Sequence, residues 1–160
     1  MIIRNAHMKD LDDITELEQK TFPPEQAASR SQFKDRLGKY PDHFWLLYEN
    51  DHLISMVNGA VTREKDLQDD MYANADCHNP SGEWQMIFGV NTDPAYQRKG
   101  YASMLIKTAI HTARSEGRKG VVLTCLKEKI HFYERFGFIN EGISQSVHGN
   151  AVWYQMRLTF

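Results

Sequence analysis

The sequence predicts one α/β domain around a single mixed sheet, and three observations predict it. Segments of strand character and of helical periodicity follow one another in the order β, α, α, β, β, β, α, β, α, β, β, with no repeat or linker between them. With 160 residues, 41% hydrophobic and 25% charged, the chain can bury a core of its own without a metal or disulfide staple. Finally, an apolar run, a basic glycine-containing loop and an amphipathic run stand in succession between Trp84 and Ala113, a local arrangement suited to holding an anion.

Met1 to Arg4 reads as a short opening strand. From Leu11 the apolar residues Leu11, Ile14, Leu17 and Phe22 recur at helical intervals behind the N-cap candidate Asp10. Phe22-Pro23-Pro24 ends that helix, because proline drives the preceding residue out of the helical region. Ser29-Arg30-Ser31-Gln32 matches a capping box for a second helix, with Phe33 and Leu37 facing inward and Gly38 as its stop. Phe44 to Tyr48 has the β-propensity and length of a strand, Asn50-Asp51 offers a turn, and Leu53 to Val57 returns as the hairpin partner. Asn58-Gly59 in that second strand predicts a bulge or a close backbone approach. Arg63 to Gly82 is polar and aperiodic, and predicts a functional loop, a mobile surface loop or a short extra helix.

The second half is more regular. Trp84 to Val90 (WQMIFGV) predicts one buried strand. Ala102, Leu105, Ile106, Ala109, Ile110 and Ala113 mark one helical face, closed by Gly117. Val121 to Cys125 predicts another buried strand, Lys129 to Phe136 a short helix stopped by Gly137, and Val152 to Leu158 a final alternating strand.

Composition excludes several function classes. The formal net charge, 19 − 21 = −2, is too balanced for nucleic-acid binding by overall charge. No 18-residue apolar span is present, so no membrane helix is expected. The start, MIIRNAHMKDLDD, turns polar too soon for a secretory signal. Cys77 and Cys125 lie far apart with no metal-ligand spacing, so the expectation is a reduced, cytoplasmic protein without a bound metal.

The stretch Gln97-Arg98-Lys99-Gly100-Tyr101-Ala102-Ser103 is the most informative. The first N–H groups of a helix lack internal partners and its dipole favours an anion there. Gly100 lets backbone approach a ligand, and Arg98 and Lys99 add charge that pairs with phosphate oxygens. The loop is neither GxxxxGK[ST] nor GxGxxG, which disfavours the common nucleotide folds.

Gln97-x-x-Gly100-x-Ala102 after MIFGV resembles motif A of the GNAT superfamily of acyl-CoA-dependent N-acyltransferases. Lys129 to Phe138 (KIHFYERFGF) resembles that superfamily's motif B, which ends in Y-x-x-x-G-F. Glu18 to Ser29 (EQKTFPPEQAAS) and LTCLKEKIHFYERFGF further resemble the arylalkylamine N-acetyltransferase branch. The resemblance implies a GNAT-like single domain over residues 1–160, with a mixed, mostly antiparallel central sheet flanked by helices. It implies acetyl-CoA as co-substrate, with Phe88, Gly89 and Val90 offering backbone hydrogen bonds to the pantetheine arm. The pyrophosphate would lie on the N–H groups of Arg98 to Ser103. It also implies that Phe22 opens a substrate-covering loop and that Tyr133 protonates or bonds the departing thiolate. Trp84 and Met86 occupy the positions where the vertebrate branch carries histidines, so the base that the resemblance would supply is missing, and Met86 becomes a candidate for the substrate wall.

Transfer needs a neutral amine, and an alkylamine with pKa near 10 is neutral only about one part in a thousand at pH 7. A proton acceptor therefore helps, and His78, titrating near neutrality when unperturbed, is the candidate base, with Glu83 beside it. His131 is expected to point elsewhere on its helix. Cys125, at a strand end with no basic neighbour, is expected to be inert. Phe22, Phe33 and Tyr72 are candidates for an aromatic wall, with core packing the safer reading of Phe33. Asp66, Asp69, Asp70 and Asp76 in the Arg63–Gly82 segment would draw cationic amines at low salt.

The leading expectation is acetyl transfer from acetyl-CoA to a small primary amine, an arylalkylamine or polyamine, by a monomer or homodimer. The alternatives are acetylation of a protein N-terminus or lysine, and a non-catalytic acyl-CoA sensor, which Trp84 and Met86 motivate. A peptide substrate requires an open groove across the sheet; a small amine suits a closed funnel.

Overall fold

The structure, a computed structural model, describes residues 1–160. The elements in chain order are β1 (Ile2–Asn5), α1 (Leu11–Thr21), α2 (Arg30–Lys39), β2 (Phe44–Glu49), β3 (His52–Asn58), β4 (Val61–Thr62), α3 (Asp70–Ala73), β5 (Trp84–Ile87), β6 (Gly89–Thr92), α4 (Tyr101–Ser115), β7 (Gly120–Cys125), α5 (Ile130–Glu134), β8 (Ile139–Ile143) and β9 (Tyr154–Thr159). The α/β class is observed, and the expected order is extended by β4, by α3 and by a division of the WQMIFGV strand. Every strand pair is antiparallel except β5 with β7.

The expected single sheet is split. One half has the order β1-β2-β3-β6 and the other β4-β5-β7-β9-β8. WQMIFGV is therefore two strands, because the chain changes partner at Phe88. Ile87 pairs with Leu123 of β7, whereas Gly89 pairs with Asn58 of β3. The facing chain breaks at the same level, at Gly59-Ala60. A Cβ on Gly59 would lie 1.8 Å from the Met86 carbonyl oxygen, so the close approach read at Asn58-Gly59 is present.

Alternation along β2 sends side chains to two separate cores. Phe44, Leu46 and Tyr48 pack with Leu11, Ile14, Leu17, Phe33 and Leu37 under α1 and α2. Trp45 and Leu47 pack on the other face with Leu105, Ile106, Ala109 and Ala113 of α4. The helices thus sandwich the divided sheet and hold its two halves at a fixed opening.

Two helix ends differ from expectation. Asp10 makes no side-chain cap to α1; its carboxylate instead accepts from Arg4 (2.8 and 2.9 Å), the His7 N–H (2.7 Å) and the Tyr48 hydroxyl (2.9 Å). Gly38 does not stop α2, which runs on to Lys39 until the fully buried Tyr40, stacked on Phe44, turns the chain into Pro41. The Ser29–Gln32 capping box is formed in both directions. The Arg63–Gly82 segment contains α3, one form of the expected extra helix. Its acids serve the fold: Asp66 pairs with Arg157, Asp69 accepts from Ser146 and Val147, and Asp76 pairs with Lys39. No helix is long and apolar enough to cross a membrane.

Candidate active site

Beyond Phe88 the strands β6 and β7 diverge, and a cavity of about 150 Å³ opens between them. Ile87, Phe88, Gly89 and Val90 form one wall; Leu123, Thr124, Cys125 and Leu126 form the other. The roof comes from three separate segments: the α1–α2 loop with Phe22 and Gln26, Tyr72 of α3, and the β8–β9 loop with His148 and Trp153.

These segments are tied to one another. His148 Nε2 lies 2.8 Å from the Gln26 carbonyl oxygen, the Trp153 indole N–H donates to the His148 carbonyl (2.7 Å), and the Tyr72 and His148 rings stack at 4.7 Å. The Tyr72 hydroxyl meets Thr124 Oγ1 at 3.2 Å, joining the roof to the β7 wall. Because a carbonyl oxygen only accepts, Nε2 of His148 carries a proton. In the neutral ring this leaves the lone pair on Nδ1.

A second cleft, about 540 Å³, lies beside the first and is lined by Thr92, Tyr96, Gln97, Arg98, Gly100, Tyr101, Ala102 and Ser103, with Lys129, Phe132 and Arg135 opposite. Here α4 begins with no side-chain cap at all. Arg98 and Gly100 both take left-handed backbone, at φ 62° and 85°. Turns of this kind gather backbone N–H groups into anion-binding concavities. An uncapped 15-residue helix behind such a turn fits a pyrophosphate, which would supply the missing acceptor.

Val90, Lys129 and Tyr133 line both spaces, so the clefts meet at Tyr133. That residue is 8% exposed. Burial, with a smaller contribution from Cys125, holds its phenol above the ordinary tyrosine range, so it stays protonated wherever the fold is stable.

The profile of the Acetyltransferase (GNAT) family matches residues 11–138. The chain belongs to that family. Among solved structures, the GNAT-like decarboxylase GphF, in complex with isobutyryl-CoA, superposes with a TM-score of 0.85 at 20% identity, over 99% of both chains. The loading GNATL domain of CurA from Lyngbya majuscula also gives 0.85, at 15% identity, over 99% of this chain and 96% of that one. The ribosomal-protein-S18-alanine N-acetyltransferase from Escherichia coli gives 0.75 at 18% identity, over 99% and 92%. No curated protein sequence matches the chain. As a GNAT acetyltransferase the chain is an acetyl-CoA-dependent enzyme.

Most residues singled out from sequence fall around these two spaces. Phe22, Phe88, Gly89, Val90 and Tyr133 line the first; Gln97, Arg98, Gly100, Tyr101, Ala102 and Ser103 line the second. Tyr72 is in the roof, and Phe33 is fully buried core. Lys99 is an exception: its ammonium lies over the Tyr96 ring, 5.7 Å from the centroid. Phe88 cannot offer its N–H to pantetheine, because that group donates to the Asn58 carbonyl (2.7 Å).

Two assignments are corrected. His78 does not reach the cavity; its Nδ1 accepts from the Val61 N–H (3.1 Å), and its ring sits between Tyr40 and His43. Burial, aided by His43, pulls its pKa down to about 4, which leaves it a poor base as well as a distant one. Met86 is not in the cavity lining; it is fully buried with Leu67, Met71, Trp84 and Val122, in a cluster that packs behind the lining residues Tyr72 and Phe88. Trp84 packs in the same cluster under the Arg157 guanidinium, so the identity of these two residues says nothing about catalysis. Glu83 pairs with Lys119 at 2.7 Å.

The cavity also holds residues that sequence reasoning did not assign: Glu18, Arg36, Thr124, His148 and Trp153. Glu18 and Arg36 had a readable signal. Each is a charge on the apolar face of its helix, one residue from Leu17 and Leu37, and 6% and 3% exposed. Burial raises the pKa of Glu18, although the Ala28 N–H and the Asn91 amide, both at 2.9 Å, oppose that shift.

Proposed function

We propose that this enzyme acetylates the primary amine of a small molecule enclosed beneath the roof. The closed roof carries this reading. The α1–α2 and β8–β9 loops meet across the splayed strands, where an extended peptide would have to lie. A Cβ on Gly149 would come within 2.5 Å of Gln26 Cγ, so no groove runs between the loops. Aromatic lining from Phe22, Tyr72, Phe88 and Trp153 favours an arylalkylamine over a polyamine. A polyamine needs several carboxylates, and the lining offers Glu18 alone against Arg36 and Lys129. Free Cys77 and Cys125 suit a cytoplasmic setting.

In this reading His148 takes the amine proton on Nδ1, with Gln26 fixing the tautomer through Nε2. The neutral nitrogen attacks the thioester carbonyl where the two spaces meet. The carbon–sulfur bond then breaks; the Tyr133 phenol, beside that junction, gives its proton to the leaving sulfur and regains the one that the nitrogen sheds on becoming an amide, so the thiol leaves neutral and His148 returns its proton to solvent. Arg98 and the first N–H groups of α4 hold the phosphates, and Phe88, Gly89 and Val90 form the wall against which the acyl arm lies.

Thiol release from acetyl-CoA tests this, using small arylalkylamines, linear diamines and short peptides with free N-termini side by side. Turnover confined to small amines is expected; faster turnover of peptides would sink the reading. A second reading draws on the depth of the same closed cavity, which can house an acyl chain with no acceptor present. GphF is a GNAT-like decarboxylase in complex with isobutyryl-CoA. By that reading a carboxyacyl-CoA loses CO₂, takes up a proton and keeps its thioester, so CO₂ forms while no thiol is released.

A further inference from the structure

We infer that the cavity contains a carboxylate-binding subsite built on Arg36, so that one of the two substrates carries a carboxylate besides its reacting group. This deepens the proposed function and rests on the cavity being the substrate pocket.

Arg36 is 3% exposed, lines the cavity and has no carboxylate within ion-pair distance. The other deeply buried arginine, Arg157, is treated quite differently: Asp66 and Glu141 both pair with it. Burying a charge without a partner is among the costlier things a fold can do. Arg36 Nη1 donates to Asn58 Oδ1 (3.0 Å) and Nη2 to the Tyr72 carbonyl (2.8 Å), while Nε is buried with no partner. A guanidinium has five N–H donors, and these two bonds leave most of them free.

The neighbourhood points to the same ligand. Asn58 Nδ2 is a second buried donor without a partner. A Cβ on Gly89, a cavity-wall residue, would lie 3.4 Å from that nitrogen, with Asn91 Oδ1 at 3.2 Å and Glu18 Oε1 at 3.9 Å, so the free amide lies behind the wall beside two acceptors and the recognition of an anion rests on Arg36 itself. Glu18 lies beyond ion-pair distance of Arg36 and accepts from the Ala28 N–H and the Asn91 amide, although the guanidinium is near enough to help draw down the pKa of that carboxyl. The rings of Phe33 and Phe88 flank the guanidinium at 5.1 and 5.2 Å, fixing its plane and excluding water. A planar monoanion matches this fork. Glu18 lines the same small cavity and repels any anion there, a phosphate dianion about twice as strongly as a carboxylate, so the single charge is the better match.

The carboxylate can sit on the acceptor, as in an amino acid, or at the end of the acyl chain, as in malonyl-CoA. Calorimetry and turnover on the intact protein separate these sources by comparing each carboxylate with its neutral carboxamide. One arm compares amino acids with their amides, and the other compares malonyl-CoA with its terminal amide. We expect the carboxylate to be preferred roughly ten- to a hundredfold in one arm, the usual range for a charge-assisted hydrogen bond. Arg36→Lys, checked for folding by its Tm, should lose most of that preference. If that variant does not fold, the wild-type comparison still decides. Equal affinity for acid and amide in both arms would overturn the subsite. Amines turned over with no carboxylate preference would defeat the subsite and leave the transfer reading standing. A carboxylate preference without any acetylated amine would do the reverse.

Discussion

Tyr133 lines both the co-substrate cleft and the closed cavity, and its phenol is held in the protonated form. Tyr133→Phe keeps the ring and its packing, and should lower kcat about 10- to 100-fold, as expected for loss of one positioned acid with a good leaving group. Acetyl-CoA affinity by calorimetry should hardly change. Because burial raises this phenol above its ordinary value of 10.0, Tyr133 should place no basic limb on the kcat–pH profile below that pH. His148→Gln should lower kcat/KM by about 10²-fold; a variant that keeps the wild-type rate would exclude His148 as base. His78 and His148 look alike in sequence, each in a stretch without periodicity and within two residues of an asparagine. Only their tertiary partners, the Val61 N–H for one and the Gln26 carbonyl for the other, separate them. Glu18 and Arg36 were legible in principle, because a charge among Leu11, Ile14 and Leu17, or beside Phe33 and Leu37, breaks an apolar helix face.

The helices were readable because an amphipathic period records which face is buried, as with Leu105, Ile106, Ala109 and Ala113 of α4. Strand partners were less so. WQMIFGV is apolar throughout, which reports burial but not the change of partner at Phe88 that creates the site. Gly100 shows what a single residue does at an element's end. A Cβ there meets nothing within 4 Å, so Gly100→Val causes no protein clash; the φ of 85° is what a side chain cannot adopt cheaply. We expect a cost of about 1–2 kcal/mol, an altered turn, and acetyl-CoA binding weakened at least tenfold by calorimetry. Unchanged affinity would remove the phosphate-cradle reading. Gly59→Ala is the opposite case. Its Cβ would lie 1.8 Å from backbone oxygen of Met86, so the Gly59-Ala60 link between β3 and β4 must move away from β5. A loss of about 3 kcal/mol is expected, measured as the shift in urea midpoint.

At the scale of the whole molecule, buried tyrosines set an alkaline limit. Burial raises Tyr40, Tyr48, Tyr133 and Tyr72, the last to about 12, from an ordinary 10.0. The unfolded chain therefore releases protons first, and stability should be intact below pH 10 and fall above it, a slope that Tm against pH reveals. On the acid side, burial alone would raise Asp10, but Arg4, the His7 N–H and Tyr48 more than offset it and bring it to about 2. Its contribution is present above the unfolded value of 3.8 and is lost as pH falls towards 2. The overall fold and the co-substrate loop were legible from local pattern. The roof was legible only in part, through Phe22 and Tyr72; its closure was not, since it joins residues as far apart as Gln26, Tyr72 and His148, none of them in a periodic stretch. A crystal structure of the enzyme with acetyl-CoA is the most direct test. The pyrophosphate should lie on the N–H groups between Arg98 and Ser103, and the acetyl group beside Tyr133, pointing under the roof towards Phe22, Tyr72 and Trp153. Phosphates bound elsewhere, or an acetyl group directed out to solvent with the Gln26–His148 contact broken, would overturn this placement of the substrate.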